Sequence, residues 1–165
     1  MPESSILETT AEVSVAFAGF IGIFLALATR DGRFPVQDAF SIRVIVLASV
    51  APVFYSVVPL ILHSAGLSGS TLWRVSSCIM GLISGSIMAG MVSQLRALPA
   101  SARLRPTSLL SLVGWGFSAL SFACLAANVV AWPWAPSGAF YLLAVWSIVV
   151  VAGTNFVALI FSRVL

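Results

Sequence analysis

Five long apolar stretches set the pattern of this chain, and most of its charged residues lie in the short segments between them or near the two termini. A helix needs about 20 apolar residues to cross a bilayer, since the hydrocarbon core is about 30 Å thick and each residue rises about 1.5 Å. Five stretches meet this requirement: Thr9–Thr29, Ala39–Leu62, Leu72–Leu95, Thr107–Trp132 and Ala139–Ser162. The pattern therefore predicts an all-α fold, a bundle of five transmembrane helices in a polytopic membrane protein.

The last two stretches are separated by helix-breaking residues rather than by charge. No charged residue occurs between Pro106 and Ser162. Pro133, Pro136 and Gly138 nevertheless interrupt this run, because proline cannot continue a helix. A single helix through the whole region would be about twice as long as the bilayer is thick. We therefore expect a turn here and two separate spans.

The composition indicates a single transmembrane domain over residues 1–165. The chain is 60% hydrophobic and 8% charged, whereas soluble domains average about 45–50% apolar and about 25% charged residues. A soluble fold of 165 residues could not bury so much apolar surface. We therefore expect the lipid bilayer to be the main solvent of this chain.

Arginines are distributed unequally between the two ends of the predicted bundle. All eight basic residues are Arg, and seven fall on the side of the C-terminus: Arg30, Arg33, Arg43, Arg96, Arg103, Arg105 and Arg163. Only Arg74 lies on the opposite side. Because cytoplasmic loops carry an excess of positive charge, we expect the N-terminus outside and the C-terminus in the cytoplasm. The use of Arg without Lys, with abundant Ala, Gly, Val and Leu, favours a bacterial plasma membrane, that is, the inner membrane.

Small residues recur at helical spacing in the third stretch. Gly81, Gly85 and Ala89 follow one another every four residues, and Ser86 and Gly90 repeat this spacing on a neighbouring face. Small side chains at such positions let helix backbones approach closely, which drives helix association in lipid. We therefore expect the third helix to lie at the centre of the bundle.

Two prolines mark the second stretch. Pro52 and Pro59 lie seven residues apart and hence nearly on one face of the helix. Each lacks an amide hydrogen and removes one helical hydrogen bond. A kink or an opened turn is expected in this helix.

Four polar residues are predicted at similar depth near the outer surface. They are Glu12, His63, Arg74 and Asn128. Ionisable groups at membrane depth are costly unless they are paired, so they count as a candidate site. Glu12 and Arg74 could form a charge pair, and a histidine beside them could titrate near physiological pH. The alternative is structural: Glu12 favours the positive end of its helix, while Arg74 and His63 extend to the lipid headgroups.

A second candidate site is a stripe of small polar residues on the last two helices. On the fourth helix it comprises Ser111, Gly114, Ser118 and Ser121, and on the fifth Ser147, Thr154 and Asn155. Hydroxyl and amide groups that line a pore can replace part of a solute's hydration shell. The same residues also allow close helix packing with weak interhelical hydrogen bonds, which is the interpretation that we favour.

No catalytic or cofactor-binding motif is present in the sequence. Gly-x-Ser-x-Gly, His-Glu-x-x-His, P-loop and Gly-x-Gly-x-x-Gly sequences are all absent. Cys78, Cys124 and the single His have no metal-ligand spacing. The two cysteines could form a disulfide only if they face each other, and we expect unpaired apolar thiols. No enzymatic activity, cofactor, metal or nucleic-acid partner is therefore expected.

Three functional hypotheses follow from these patterns. The leading one is a non-enzymatic integral membrane subunit that assembles as a homo-oligomer or within a larger membrane complex, because several helix faces are built for close packing. The alternative is a channel or facilitator for a small solute or ion, lined by the serine-rich helix faces. A second alternative is an outward-facing pH or ligand sensor built on the outer polar residues.

Overall fold

Long helices account for nearly all of the chain that is described. The computed structural model describes residues 3–29, 36–97, 109–130 and 136–164. Within these ranges the elements are α1 (Ser4–Thr29), α2 (Val36–Ser64), α3 (Gly69–Ala97), α4 (Leu109–Val130) and α5 (Gly138–Val164), with no strand. All five helices are long and apolar enough to cross a membrane; even α4, with 22 residues, is about 33 Å long. The predicted all-α class and the predicted number of such helices are confirmed.

The two ends of the bundle differ in charge. We call the end at which α1, α3 and α5 begin the N-terminal end, and the opposite end the arginine end, because Arg43 and Arg96 lie there. At the arginine end, Nη1 of Arg43 donates a hydrogen bond of 2.6 Å to Oε1 of Gln94. This bond joins the first half of α2 to the last turn of α3.

Helix α2 ends in a defined glycine turn. The amide of Leu67 donates to the carbonyl of Leu62 at 3.0 Å, and the amide of Gly66 donates to the carbonyl of His63 at 2.9 Å. Gly66 has a φ of 96°, a left-handed conformation that glycine adopts without a steric penalty. This is the Schellman arrangement, which satisfies the last carbonyls of a helix. It reverses the chain within a few residues, so that α2 and α3 become antiparallel neighbours.

Helices α2 and α5 form the centre of the bundle. These two helices have the two largest buried shares among the five, and they pack against each other. The larger apolar cluster lies toward the N-terminal end and includes Leu7, Leu72, Leu125 and Val145, all nearly inaccessible. Its members come from all five helices, Tyr55 being the buried member from α2, so this cluster ties together the half of the bundle that also holds the polar side chains described below.

Helix α1 is attached at the arginine end by aromatic contacts. Ile21 and Ile45 are buried there with Phe156 of α5. Phe17 and Phe24 of α1 meet the ring of Phe156 edge to face, with centroids 6.1 and 5.2 Å apart. Such pairs contribute about 0.5–1.5 kcal/mol beyond the area that they bury. This second cluster fixes α1 against α2 and α5.

The expectation that α3 lies at the centre of the bundle is wrong. Its buried share is among the lowest of the five helices, and its buried side chains, from Leu72 to Met80, lie in its first half. Residues 81–90 are half-buried or exposed. Glycine and serine offer little side-chain area to bury, so the larger side chains of α2 and α5 form the centre instead.

A close helix approach occurs at Gly114, where α4 packs on α5. A Cβ built at Gly114 would lie 3.4 Å from Nδ2 of Asn155 and 3.5 Å from Oγ1 of Thr154. Gly114 itself is buried. By contrast, a Cβ at the exposed Gly116 would meet nothing within 4 Å. A side chain at Gly114 would therefore press on α5, whereas one at Gly116 would not contact another helix.

Gly114→Leu is expected to lower the free energy of unfolding by about 1–3 kcal/mol, because the new side chain overpacks the α4–α5 interface. Gly116→Leu is the matched control and should stay within about 0.5 kcal/mol of the unsubstituted protein. The measurement is an SDS titration of each variant in mixed micelles, followed by far-UV circular dichroism. Equal losses in the two variants would contradict this account of the interface.

Candidate functional site

Buried polar side chains gather in the half of the bundle next to the N-terminal end. They come from four helices and are almost completely inaccessible: Tyr55, Ser56, Ser76, Ser77, Ser121, Asn128 and Tyr141. All carry uncharged hydroxyl or amide groups. Buried polar groups are normally hydrogen-bonded, so the partner of each one shows what this region is built to do.

A hydrogen bond from Tyr141 closes the gap that Pro59 leaves in α2. In a regular helix the amide of residue 59 would donate to the carbonyl of residue 55, and proline has no amide hydrogen. The hydroxyl of Tyr141 on α5 donates to the carbonyl oxygen of Tyr55 at 2.8 Å. A side chain of the neighbouring helix thus satisfies the backbone group that the proline leaves unpaired.

Three aromatic rings extend this contact across the bundle. The ring of Tyr141 lies 5.5 Å from that of Trp73 on α3 and 6.1 Å from that of Tyr55 on α2, measured between centroids. The hydroxyl of Tyr55 in turn hydrogen-bonds Oγ of Ser84 on α3 at 2.7 Å. We call Trp73, Tyr141 and Tyr55 the aromatic stack; it joins α2, α3 and α5.

Asn128 joins the C-terminal end of α4 to the first half of α3 and to the start of α5. Its Nδ2 donates to Oγ of Ser77 at 3.1 Å and to the carbonyl of Ser137 at 3.3 Å. Its Oδ1 accepts from the amide of Ser137 at 3.0 Å. Ser137 also caps α5, because its Oγ accepts from the amide of Phe140 at 3.4 Å. The amide group of Asn128 is therefore well satisfied, although it is fully buried.

Glu3 lies against the first turn of α5. A Cβ built at Gly138 would lie 2.6 Å from Oε1 of Glu3 and 2.9 Å from Cζ2 of Trp73. Only glycine leaves room at this point for both side chains. A carboxylate beside the start of a helix is favoured by the partial positive charge there, so Glu3 links the start of α1 to the start of α5.

The four predicted outer polar residues share one end of the bundle but have different surroundings. Glu12, His63 and Arg74 are exposed, whereas Asn128 is buried. Nε of Arg74 donates to the carbonyl of Val129 at 2.9 Å, and Nδ1 of His63 lies 3.0 Å from the carbonyl of Leu67. Arg74 thus joins α3 to the end of α4 through the carbonyl of Val129. Asn128 joins the end of α4 to Ser77 of α3 and to the carbonyl of Ser137 before α5. The sensor hypothesis stays a prediction.

The predicted serine stripe lies largely where α4 packs on α5, and its hydroxyls have protein partners. Ser118 and Ser147 donate to the carbonyls of Gly114 and Leu143 on their own helices. Oγ of Ser121 donates across the interface to the carbonyl of Ala144 at 3.1 Å. Thr154 and Asn155 both donate to carbonyls one turn earlier in α5. Ser111 belongs to α4, and its side chain lies outside the described residues. The hypothesis of a solute path stays a prediction.

Two buried hydroxyls differ from all of these. Oγ of Ser56 on α2 and Oγ of Ser76 on α3 have no hydrogen-bond partner in the part of the chain that the structure describes. Both residues are 0% exposed. A buried polar group without a partner costs about 1–3 kcal/mol, so this pair requires an explanation of its own.

The second half of α3 presents an open face of small residues. Gly81 and Gly85 are half-buried, and Ala89 and Gly90 are exposed. A Cβ built at Gly81, Gly85 or Gly90 would meet nothing within 4 Å. We call Gly81, Gly85 and Ala89, which follow one another every four residues, the small-residue face; Gly90 lies on the neighbouring face. No other described helix comes within 4 Å of a Cβ built at Gly81 or Gly85.

The two cysteines are free thiols in different surroundings, since Cys78 is exposed and Cys124 is buried. Among the described residues, no group of three His, Cys, Asp or Glu side chains is placed to hold a metal ion. No protein-family model matches the chain, and no curated protein or solved structure is significantly similar to it. The polar network and the small-residue face are thus the two features on which a function can be argued.

Sequence reasoning missed the aromatic stack and the partners of Asn128. Pro59 did signal an unpaired carbonyl four residues earlier, at Tyr55. The donor, Tyr141, is 86 residues further along the chain, and no spacing rule connects two residues so far apart.

Tyr141→Phe is expected to lower the free energy of unfolding by about 1–3 kcal/mol, because it leaves the Tyr55 carbonyl buried without a donor. In a Pro59→Ala background the restored amide can donate to that carbonyl, so the same substitution should cost less. A double-mutant cycle by SDS titration measures the difference. An equal cost in both backgrounds would show that the Tyr141 hydroxyl does not substitute for the missing amide.

Proposed function

We propose that this chain is a multi-pass membrane subunit, without catalytic activity, that assembles with further copies of itself through the small-residue face of α3. The observation that carries the proposal is that this face is open in the single chain: a Cβ at Gly81 or Gly85 would meet nothing within 4 Å. Small residues at four-residue spacing provide close contact only when another helix lies against them.

Membrane placement is part of the same proposal. Five helices have the length and apolar character to span a bilayer, and many large apolar side chains are exposed on the outside of the bundle, among them Phe20, Phe54, Leu82 and Trp115. Lipid tails suit such a surface, whereas water does not. The excess of arginine on one side favours a cytoplasmic C-terminus, and the composition favours a bacterial plasma membrane.

The shape and polarity of the small-residue face fit a second helix. Lipid gives no hydrophobic drive for two helices to associate, so packing between closely approaching backbones has to supply the attraction. Ser86, beside the face, donates its hydroxyl to the carbonyl of Leu82 at 2.8 Å and adds no unpaired donor. Leu82 lies beside the glycines on the outer side of α3 and is exposed, which provides an apolar contact next to the small-residue face.

A second copy of this chain is the partner that we favour. Two copies in the same membrane, related by a two-fold axis, would present identical faces at the same depth, and a two-fold contact needs a surface that fits itself. A row of small residues meets this condition, because close approach requires small residues on both helices. A different membrane subunit is the other occupant that the experiment distinguishes.

Gly85→Leu is expected to weaken self-association at least about tenfold, a loss of about 1.4 kcal/mol. The variant should still fold, because a Cβ at Gly85 meets nothing within 4 Å. The measurement is single-molecule photobleaching of labelled protein in liposomes at several protein-to-lipid ratios. Gly116→Leu on α4 is the matched control, since that position is equally open, and should associate as the unsubstituted protein does.

The outcomes separate the possible partners. Association that Gly85→Leu and Gly116→Leu leave unchanged would place the contact away from α3. A protein that is monomeric at all ratios in liposomes, yet extracted from its own membranes with other subunits, would favour a mixed complex. Loss of association in Gly85→Leu alone would support the proposal.

A further inference from the structure

Arg43 and Gln94 form a polar pair near the arginine end of α2 and α3. Nη1 of Arg43 donates to Oε1 of Gln94 at 2.6 Å, and both side chains are exposed. By length and composition, the parts of these helices that could cross a membrane are Ile42–Ser64 and Gly69–Gln94. Arg43 is thus the second residue of one such span and Gln94 the last residue of the other. The pair lies at the level where the hydrocarbon core would meet the lipid headgroups.

Several hydrogen-bond donors of this pair are left available by the bond between them. Arginine has five N–H donors in a fixed planar fork, and the edge of Arg43 formed by Nε and Nη2 has no partner among the described residues. Because Oε1 of Gln94 accepts from Nη1, the Nε2 amino group of Gln94 is a further donor beside the guanidinium. A charged, bidentate donor edge of this kind matches the oxygens of a phosphate.

An exposed apolar stripe begins one turn away from Arg43 on α2. Val46, Leu47, Val50 and Phe54 follow Arg43 three, four, seven and eleven residues later, and all four side chains are exposed. Residues at this spacing share one face of a helix. We call these four residues the apolar stripe; with Arg43 at its head, it extends about 16 Å toward the opposite end. A phospholipid has the same division into a polar head and an apolar chain.

The charge at the arginine end favours an anionic lipid over a zwitterionic one. The segments that join α1 to α2 and α3 to α4 connect helices at this end. In the sequence they contain Arg30, Arg33, Arg103 and Arg105, and the only acidic residue in them is Asp31. Several arginines next to the ends of membrane helices attract the negative headgroups of anionic lipids.

We propose that Arg43 and Gln94 bind the phosphate group of an anionic phospholipid, one acyl chain of which lies along the apolar stripe of α2. Arg43 donates to the phosphate oxygens through Nε and Nη2, and Gln94 donates through Nε2. Oε1 of Gln94 holds the guanidinium in place through the bond to Nη1. The proposal rests on the membrane placement proposed above, but it does not depend on self-association through α3.

Native mass spectrometry of the protein released from nanodiscs tests for the bound lipid. The nanodiscs contain equal amounts of phosphatidylglycerol and phosphatidylcholine with the same acyl chains. The unsubstituted protein is expected to retain phosphatidylglycerol at least about threefold more often than phosphatidylcholine, because the anionic headgroup gains from the arginine end. Equal retention of the two lipids, or retention of neither, would overturn the proposal.

Three variants test whether the lipid occupies this site. Arg43→Gln is expected to lower the retention of phosphatidylglycerol at least about fivefold, because the charged fork is lost. Gln94→Leu should lower it by a smaller factor without any change of charge. Arg96→Gln is the matched control, since it removes the same charge from an exposed position of α3 that faces about 160° away from Gln94. Far-UV circular dichroism confirms that each variant folds.

Equal losses in Arg43→Gln and Arg96→Gln would show that net charge rather than a site retains the lipid, and unchanged retention in Gln94→Leu would remove Gln94 from the site. Either result overturns the proposal. Glycerol phosphate, which has a phosphate group but no acyl chain, should not displace the lipid at millimolar concentration. Displacement would indicate a site for a soluble anion instead. A protein that does not insert into nanodiscs would contradict the membrane placement itself, and this proposal with it.

Discussion

The carbonyl group that Pro59 leaves unpaired in α2 is the constraint on which the N-terminal half of the bundle depends. A buried backbone carbonyl has to find a donor, and here the hydroxyl of Tyr141 on α5 supplies it at 2.8 Å. The position of that hydroxyl fixes the ring of Tyr141, and the ring in turn packs on Trp73 of α3 and on Tyr55 of α2. One missing amide therefore determines how three helices meet.

The two halves of α3 differ in burial. Its first half contributes Trp73, Ser77 and Met80 to the interior, where they meet the aromatic stack and Asn128. Its second half carries Gly81 and Gly85, which are half-buried, and Gly90, which is exposed; none has a side chain to bury. In the proposed assembly a substitution at Gly85 would therefore lie away from the buried network.

The interior of this bundle is polar without being charged. Asn128 makes three hydrogen bonds, two of them to the backbone of Ser137 just before α5, while Ser56 and Ser76 have no hydrogen-bond partner among the described residues. Neutral groups can be buried at a cost that one or two hydrogen bonds offset, whereas a charge would require a partner of its own. The network therefore suits a scaffold that holds helices in register, which agrees with a subunit whose role is assembly.

The sequence by itself determined the class of fold, the number of long apolar helices and the carbonyl that Pro59 leaves without its helical donor, because hydropathy, chain length and proline chemistry act locally along the chain. It also identified the small residues of α3, but it placed that helix at the centre. The kink expected in α2 stays a prediction. Only the tertiary structure decided which helix faces meet. Asn128 and Ser77 are 51 residues apart and Tyr141 and Tyr55 are 86 apart, and such partners are chosen by the packing of large side chains and by the need to satisfy buried polar groups. Those two requirements act on the whole bundle at once, so no local pattern could reveal that α2 and α5 form the centre and that residues 81–90 of α3 are half-buried or exposed.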